Sequence, residues 1–292
     1  MAAVTIDATT VVAPSASTGV LGAFAKRFAV TLGRAVFSLV LVLALWQFLV
    51  WTWGEQLSFS TRGPADVWKY LFGENSTPEI RSAIFSDLWI TLGHAALGLF
   101  AGTAVAVLVA FAFNVIRPLE QGLMPVAMVL RSVPLVAMAP LISTIFGRGL
   151  VTVAVVGGIV TFFPTLVNVS LGLQSAPQQS VDLIKAYGGS RWYTLLKVQF
   201  PFALPPLFAA LRATAPLAIT GAMLAEFFLT GTGLGSSLNL ARNQFKYNSM
   251  WSQAAIATLF SVLIYALAVG MDAHLAKPYS HAQLRGMLAI WL

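Results

Sequence analysis

The residues able to do chemistry are few and widely spaced. The 292 residues include no Cys, which removes thiolate zinc sites, iron–sulfur clusters and a cysteine nucleophile. His94, His274 and His281 do not form a metal-ligand pattern, and no His-Glu-x-x-His run occurs. No Lys is followed by Ser or Thr, so a Walker-type phosphate loop is ruled out. Gly231-Thr-Gly-Leu-Gly235 follows an apolar helical run rather than a strand, and it reads as a flexible turn. Glu226 is the only acid that must lie at membrane depth, and no apolar run carries paired carboxylates. A hydrolase needs a nucleophile beside a base, and no such pair assembles. The chain is expected to do no covalent chemistry and to hold no metal or cofactor of its own.

The elements that position these residues are set by composition. Hydrophobic residues make up 58% and charged residues 9%, against about 25% charged in an ordinary soluble domain. Ten acids and seventeen bases cannot cover a soluble surface of this size. The same hydrophobicity excludes a disordered chain. The net charge of +7 is spread along the sequence without a basic run, so it reads as a topology signal rather than a nucleic-acid site.

A membrane helix needs about 20 apolar residues. Six stretches qualify: Ala35–Thr52, Leu88–Phe113, Gly122–Phe146, Leu150–Leu173, Phe202–Leu229 and Trp251–Met271. The third is interrupted by Arg131, Pro134 and Pro140, and the fifth carries Arg212 and Glu226. An even count puts both termini on one side. With that side cytoplasmic, nine basic residues lie inside and six outside, and the first outer loop is net negative. The prediction is an all-α, polytopic membrane protein of six transmembrane helices, N-in and C-in. Residues 1–33 are expected to form a disordered cytoplasmic tail, 34–271 the membrane domain and 272–292 a cytoplasmic C-terminal tail. Pro64–Phe72 in the outer loop reads as a short amphipathic helix.

The longest inner loop, 174–201, is not low in complexity. Ser180 is placed to cap a helix over Val181–Tyr187, and Gly188-Gly189 to end it. Ser190 is placed to cap a second helix, Arg191–Phe200, ended by Pro201. Leu183, Ile184, Tyr187, Trp192 and Leu195 exceed what a solvated loop needs. They either dock into a partner or lie on the protein's own helix ends.

This segment resembles the cytoplasmic signature of bacterial ABC importer permeases, nearest to the nitrate, sulfonate, taurine and bicarbonate branch. That signature is Glu-Ala-Ala, three residues, Gly, nine residues, an aliphatic residue, one residue, Leu-Pro. Asp182, Gly188, Val198 and Phe200-Pro201 stand at the matching positions, while Leu183 and Ile184 replace the two alanines. Arg131-Ser-Val-Pro134 with Ala139-Pro-Leu141 resembles the family's broken third span. Phe162-Phe-Pro164 with Asn168 resembles its fourth, and Ala225-Glu226 with Gly233-Leu-Gly235 the end of its fifth. The likeness runs from about Pro64 to Gly270.

The resemblance implies the type I importer architecture: half of a two-fold pore. An extracytoplasmic binding protein delivers a small, anionic solute. A cytoplasmic ATPase dimer binds the ATP and Mg and docks on the coupling segment. A second permease copy completes the pore in the bacterial inner membrane. It assigns ATPase coupling to Asp182, Lys185, Tyr187, Gly188, Ser190, Arg191, Trp192 and Pro201. The solute pathway falls to Arg131, Pro134, Pro140, Phe163, Asn168 and Glu226. Asn168 meets either solute or a neighbouring helix; Glu226 either snorkels, faces the pore or bonds another span. The competing class, an ion-gradient-driven secondary transporter, wants ionisable groups at mid-membrane, and spans one, four and six carry none.

Overall fold

The computed structural model describes residues 18–53, 60–73 and 76–291. They contain helices and no strand. The chain forms two compact units, residues 1–64 and 65–292.

The first unit contains helix α1, Thr18–Trp53. It begins at Thr18 rather than near Arg34, because the Ala- and Leu-bearing stretch ahead of Arg34 contains no proline to stop it. The part of the expected tail before Thr18 lies outside the described residues. From Phe37 to Trp53 the apolar side chains are largely exposed, as on a helix meant for lipid.

The second unit opens with α2, Pro64–Phe72, at the bounds expected of the outer-loop helix. Val67 and Leu71 are buried, while Trp68 and Phe72 stack at 4.7 Å and stay exposed. Helix α3, Pro78–Val115, is capped by Thr77, whose Oγ1 accepts from the Ile80 amide. Then come α4 (Arg117–Leu130), α5 (Leu135–Phe146), α6 (Leu150–Gln174), α7 (Gln178–Ala186) and α8 (Arg191–Thr194). They are followed by α9 (Phe200–Ala225), α10 (Gly233–Asn243) and α11 (Tyr247–Trp291). The region expected as a C-terminal tail continues α11 as helix.

The break expected in the third span is present, and two other expectations are corrected. The third span is two helices, α4 and α5, meeting at 106°. Arg131 to Pro134 form the break, where Pro134 disfavours the helical conformation of the residue before it. Pro201 does not end the second helix of the inner segment. A π-helical turn, Leu195–Gln199, precedes it, and the chain continues from Arg191 to Thr230. The wider turn absorbs the bond and the space that proline denies its preceding turn. Ser180 is not the cap of α7, whose N-cap is Pro177 with no side-chain bond.

Among the described residues four helices are long and apolar enough to cross a membrane, or five with α4 and α5 taken as one span. Small residues hold α3, α6 and α9 together. A Cβ on Gly98 would meet Gly157 Cα at 2.8 Å, and one on Gly102 would meet Gly158 Cα at 2.9 Å. Gly221 of α9 faces Gly157 from the other side, with 3.1 Å from an added Cβ to its Cα. Backbones this close gain dispersion contact that larger residues would block, the main attraction left to helices that both have lipid as solvent. Larger residues fill the flanks, with Phe113, Leu166, Leu173 and Leu195 in one buried cluster.

Candidate functional site

Two places gather the residues singled out above. The first is where α9 ends. A π-helical turn, Glu226–Thr230, closes the helix, and Gly231 takes the left-handed φ of 78° that turns the chain back. This places Glu226, 1% exposed, under the N-terminus of α10. Its Oε1 lies 2.8 Å from Nδ1 of His94 on α3. Its Oε2 accepts from the Thr91 hydroxyl at 2.8 Å and from the Gly235 amide at 2.9 Å. Thr91 Oγ1 in turn accepts from the Leu234 amide at 2.9 Å. The carboxylate therefore fastens α3, α9 and α10 at one buried point, with donors on both oxygens, as a buried charge requires.

The Gly231–Gly235 run is thus not a loose turn. Gly233 has φ 85°, and a Cβ there would collide with the Glu226 carboxylate; one on Gly235 would collide with the Met223 carbonyl. Of the readings open for Glu226, bonding to another span is the one the structure bears out. Its partners on α3 and α10 engage both of its oxygens.

The second place is the elbow 174–201. Gly188 has φ 76°, its amide bonds the Lys185 carbonyl, and the Gly189 amide bonds that of Ile184. That is the glycine C-cap expected. The Ser190 Oγ accepts from the Tyr193 amide at 3.2 Å, so its cap also stands. Asp182 forms an exposed pair with Lys185 at 3.3 Å and accepts from Gln178. Tyr187 is 85% exposed, and Leu183 and Trp192 more than half. Leu195 and Val181 are buried in the protein itself. Leu195 therefore lies against the protein's own helix ends, while Leu183, Tyr187 and Trp192 are left exposed. Arg191 turns inward: its Nη1 donates to the Val115 carbonyl at 3.2 Å, tying α8 to the end of α3. Pro201 sits in the first turn of α9, half-buried.

The remaining pathway residues do not converge with Glu226. Arg131 and Pro134 are exposed at the α4–α5 break, and Pro140 is exposed within α5. Phe163 is half-buried on α6 and packs edge-on against Phe162. Asn168 neither reaches a neighbouring helix nor stands free. Its amide donates to the Pro164 carbonyl of its own helix at 2.8 Å.

With this geometry in place, comparison with known proteins is informative. The profile of the family described as binding-protein-dependent transport system inner membrane component matches residues 98–280, well over half of the chain. The chain belongs to that family. The matched stretch of this inner membrane component contains the Gly98–Gly102 packing face, the α4–α5 break, the elbow and Glu226 with Gly235, while Thr91 and His94 lie just ahead of it. The riboflavin transport system permease protein RibX of Chloroflexus aurantiacus is 38% identical over 153 residues, 52% of this chain and 57% of that protein. The chain thus spans little more than half the length of that relative. The nitrate import permease protein of Synechocystis sp. is 23% identical over 248 residues, 82% of this chain and 84% of that one. An inward-facing structure of the MetNI methionine ABC transporter superposes with a TM-score of 0.57 at 20% identity, covering 68% of this chain and 99% of that one. The fold is that of the type I importer permeases, and the resemblance read from the elbow holds at the level of family and branch.

Proposed function

We propose that this inner membrane component is the permease subunit of an ATP-driven importer, itself non-catalytic, that passes a small anionic solute from an extracytoplasmic binding protein to the cytoplasm. The observation that carries the reading is the elbow: a Gly188 turn with φ 76° that presents Tyr187, Leu183 and Trp192 outward. Apolar side chains held out by a rigid turn are costly unless a partner covers them, and an ATPase dimer holding ATP and Mg is the partner assigned. Asp182 and Lys185 rim that surface. Ser190 and Arg191 fix the second arm, one by its cap and one by its bond to α3.

The membrane part is assigned six spans: α1, α3, the α4–α5 pair, α6, the α8–α9 run and α11. Helix α4 has no buried residue, which suits a face completed by a second copy of the chain. The solute pathway is assigned to the α4–α5 break with Arg131, Pro134 and Pro140, to Phe163, and to Asn168 and Glu226, whose side chains are held within the protein. A gradient-driven transporter is the weaker reading, since Glu226 and His94 satisfy each other.

Substitution of Gly188 tests the coupling assignment. Val and Trp resist a positive φ, at about 1–2 kcal/mol, whereas Asn tolerates it. Gly188→Val and Gly188→Trp should leave membrane levels and the ATPase activity of the assembled importer near wild type while uptake falls at least about tenfold. Gly188→Asn should keep most of the uptake. Wild-type uptake in both bulky variants overturns the assignment.

A further inference from the structure

A cleft of about 790 Å³ lies behind the elbow, where the end of α3 and the start of α4 face α7, α8 and the π-turn. It continues into a second lobe of about 420 Å³. This volume falls within the roughly 300–1,000 Å³ of small-molecule sites. Three cationic side chains line it, Arg117, Lys185 and Arg191, together with the amides of Asn114, Gln178 and Gln199. Arg117 has no hydrogen-bond or ion-pair partner among the described residues. Arg191 commits one nitrogen to the Val115 carbonyl and keeps its other N–H groups.

Two carboxylates offset part of this charge: Asp182 pairs with Lys185 and Glu120 keeps its negative charge, which leaves the two guanidinium groups as the excess. The Asp182 carboxylate is held by Lys185 and Gln178. Glu120, in the second lobe, accepts from Gln174 at 2.8 Å. Arg117 also opens α4, a helix of 14 residues whose N-cap, Ile116, supplies no side-chain bond. The helix N-terminus therefore adds its partial positive charge to the same cleft. A guanidinium without a partner, a second that is half committed and an uncapped helix start favour a tetrahedral oxyanion over a neutral ligand.

We propose that this cleft is a phosphate-binding site, filled by a free phosphate group or by the headgroup of an acidic phospholipid. Arg117, Asn114 and Gln199 take no part in the coupling assignment, while Lys185 and Arg191 are shared with it. It is tested on the full chain in nanodiscs by hydrogen–deuterium exchange of peptides covering residues 114–120 and 178–199. One arm titrates inorganic phosphate, at matched ionic strength, into phosphatidylcholine discs. The other uses phosphatidylglycerol discs without phosphate.

Protection of both peptides is expected in at least one arm, and the arm that protects names the source. Arg117→Gln should weaken the protection at least about tenfold in apparent affinity, an effect ordinary for a charged hydrogen bond. Arg117→Lys should retain much of it, and Arg81→Gln, a surface change on α3 outside the cleft, all of it. Absence of protection in both arms overturns the site, as does equal protection in Arg117→Gln. Neither result bears on uptake by the Gly188 variants, so the two proposals fail separately.

Discussion

At the scale of single residues, Glu226 shows what a buried charge costs and what it organises. An unpaired carboxylate at 1% exposure would be prohibitive. Here it receives His94, Thr91 and the Gly235 amide. Removing one member of such a set leaves the others unsatisfied, which typically costs more than the bond itself gains. Glu226→Ala should therefore lower the apparent stability of the purified protein by about 3–5 kcal/mol. Glu226→Gln should lower it less, because its carbonyl oxygen still accepts a backbone amide. In a double-mutant cycle with His94→Ala, the two losses should fall short of adding by about 1 kcal/mol or more. Full additivity in thermal unfolding would mean the 2.8 Å contact contributes nothing. The sequence alone does not give the pairing, since His94 and Glu226 lie in different spans 132 residues apart. The signal was present, however. With the N-terminus inside, His94 falls near the outer start of the second span and Glu226 near the outer end of the fifth, at matching depth. Spans say at what depth a residue lies but not which helices are neighbours, so depth alone left the partner open.

At the scale of elements, local rules were legible wherever a proline, glycine or cap acts on its own neighbours. The Gly188 turn and the Ser190 cap needed only residues within a few positions. The continuation through Pro201 did not follow from local rules, because a π-turn can absorb a proline when the following helix is buried against others. The small-residue interface was half legible. Gly98 and Gly102 stand four apart on α3, but their partners on α6 are the adjacent pair Gly157 and Gly158. Only packing brings those together. A Cβ at Gly102 has no room, whereas one at Gly93, on the same helix, meets nothing within 4 Å. Gly102→Ala should cost about 1–3 kcal/mol by overpacking, seen as a lower unfolding temperature in detergent. Gly93→Ala should be neutral or slightly stabilising through helix propensity. If the two variants unfold alike, close backbone approach is not what joins α3 to α6.

At the scale of the whole molecule, sidedness decides whether the elbow and the cleft can meet cytoplasmic partners. From α3 onward the broken pair and the long helices account for up to five crossings, an odd number. Taken as five, the crossings put Trp68, before α3, on the opposite side from the end of α11. With α1 as the proposed sixth crossing, both termini return to one side, which the charge bias assigns to the inside. Because the chain has no Cys, any cysteine introduced is unique and can be labelled without further engineering. Trp68 and Phe245 are each 66% exposed and lie ahead of α3 and between α10 and α11; Tyr187, at the elbow, is 85% exposed. Three single variants, Trp68→Cys, Phe245→Cys and Tyr187→Cys, should therefore separate cleanly. An impermeant maleimide added to intact spheroplasts should label the first two and not the third. Inverted vesicles should give the reverse pattern. Labelling of Tyr187→Cys from outside would place the elbow away from ATP, and the energy source would then have to be sought elsewhere. Labelling of Trp68→Cys and Phe245→Cys from opposite sides would instead mean that the α4–α5 pair does not cross, since the crossings between them must be even in number for both to face outward.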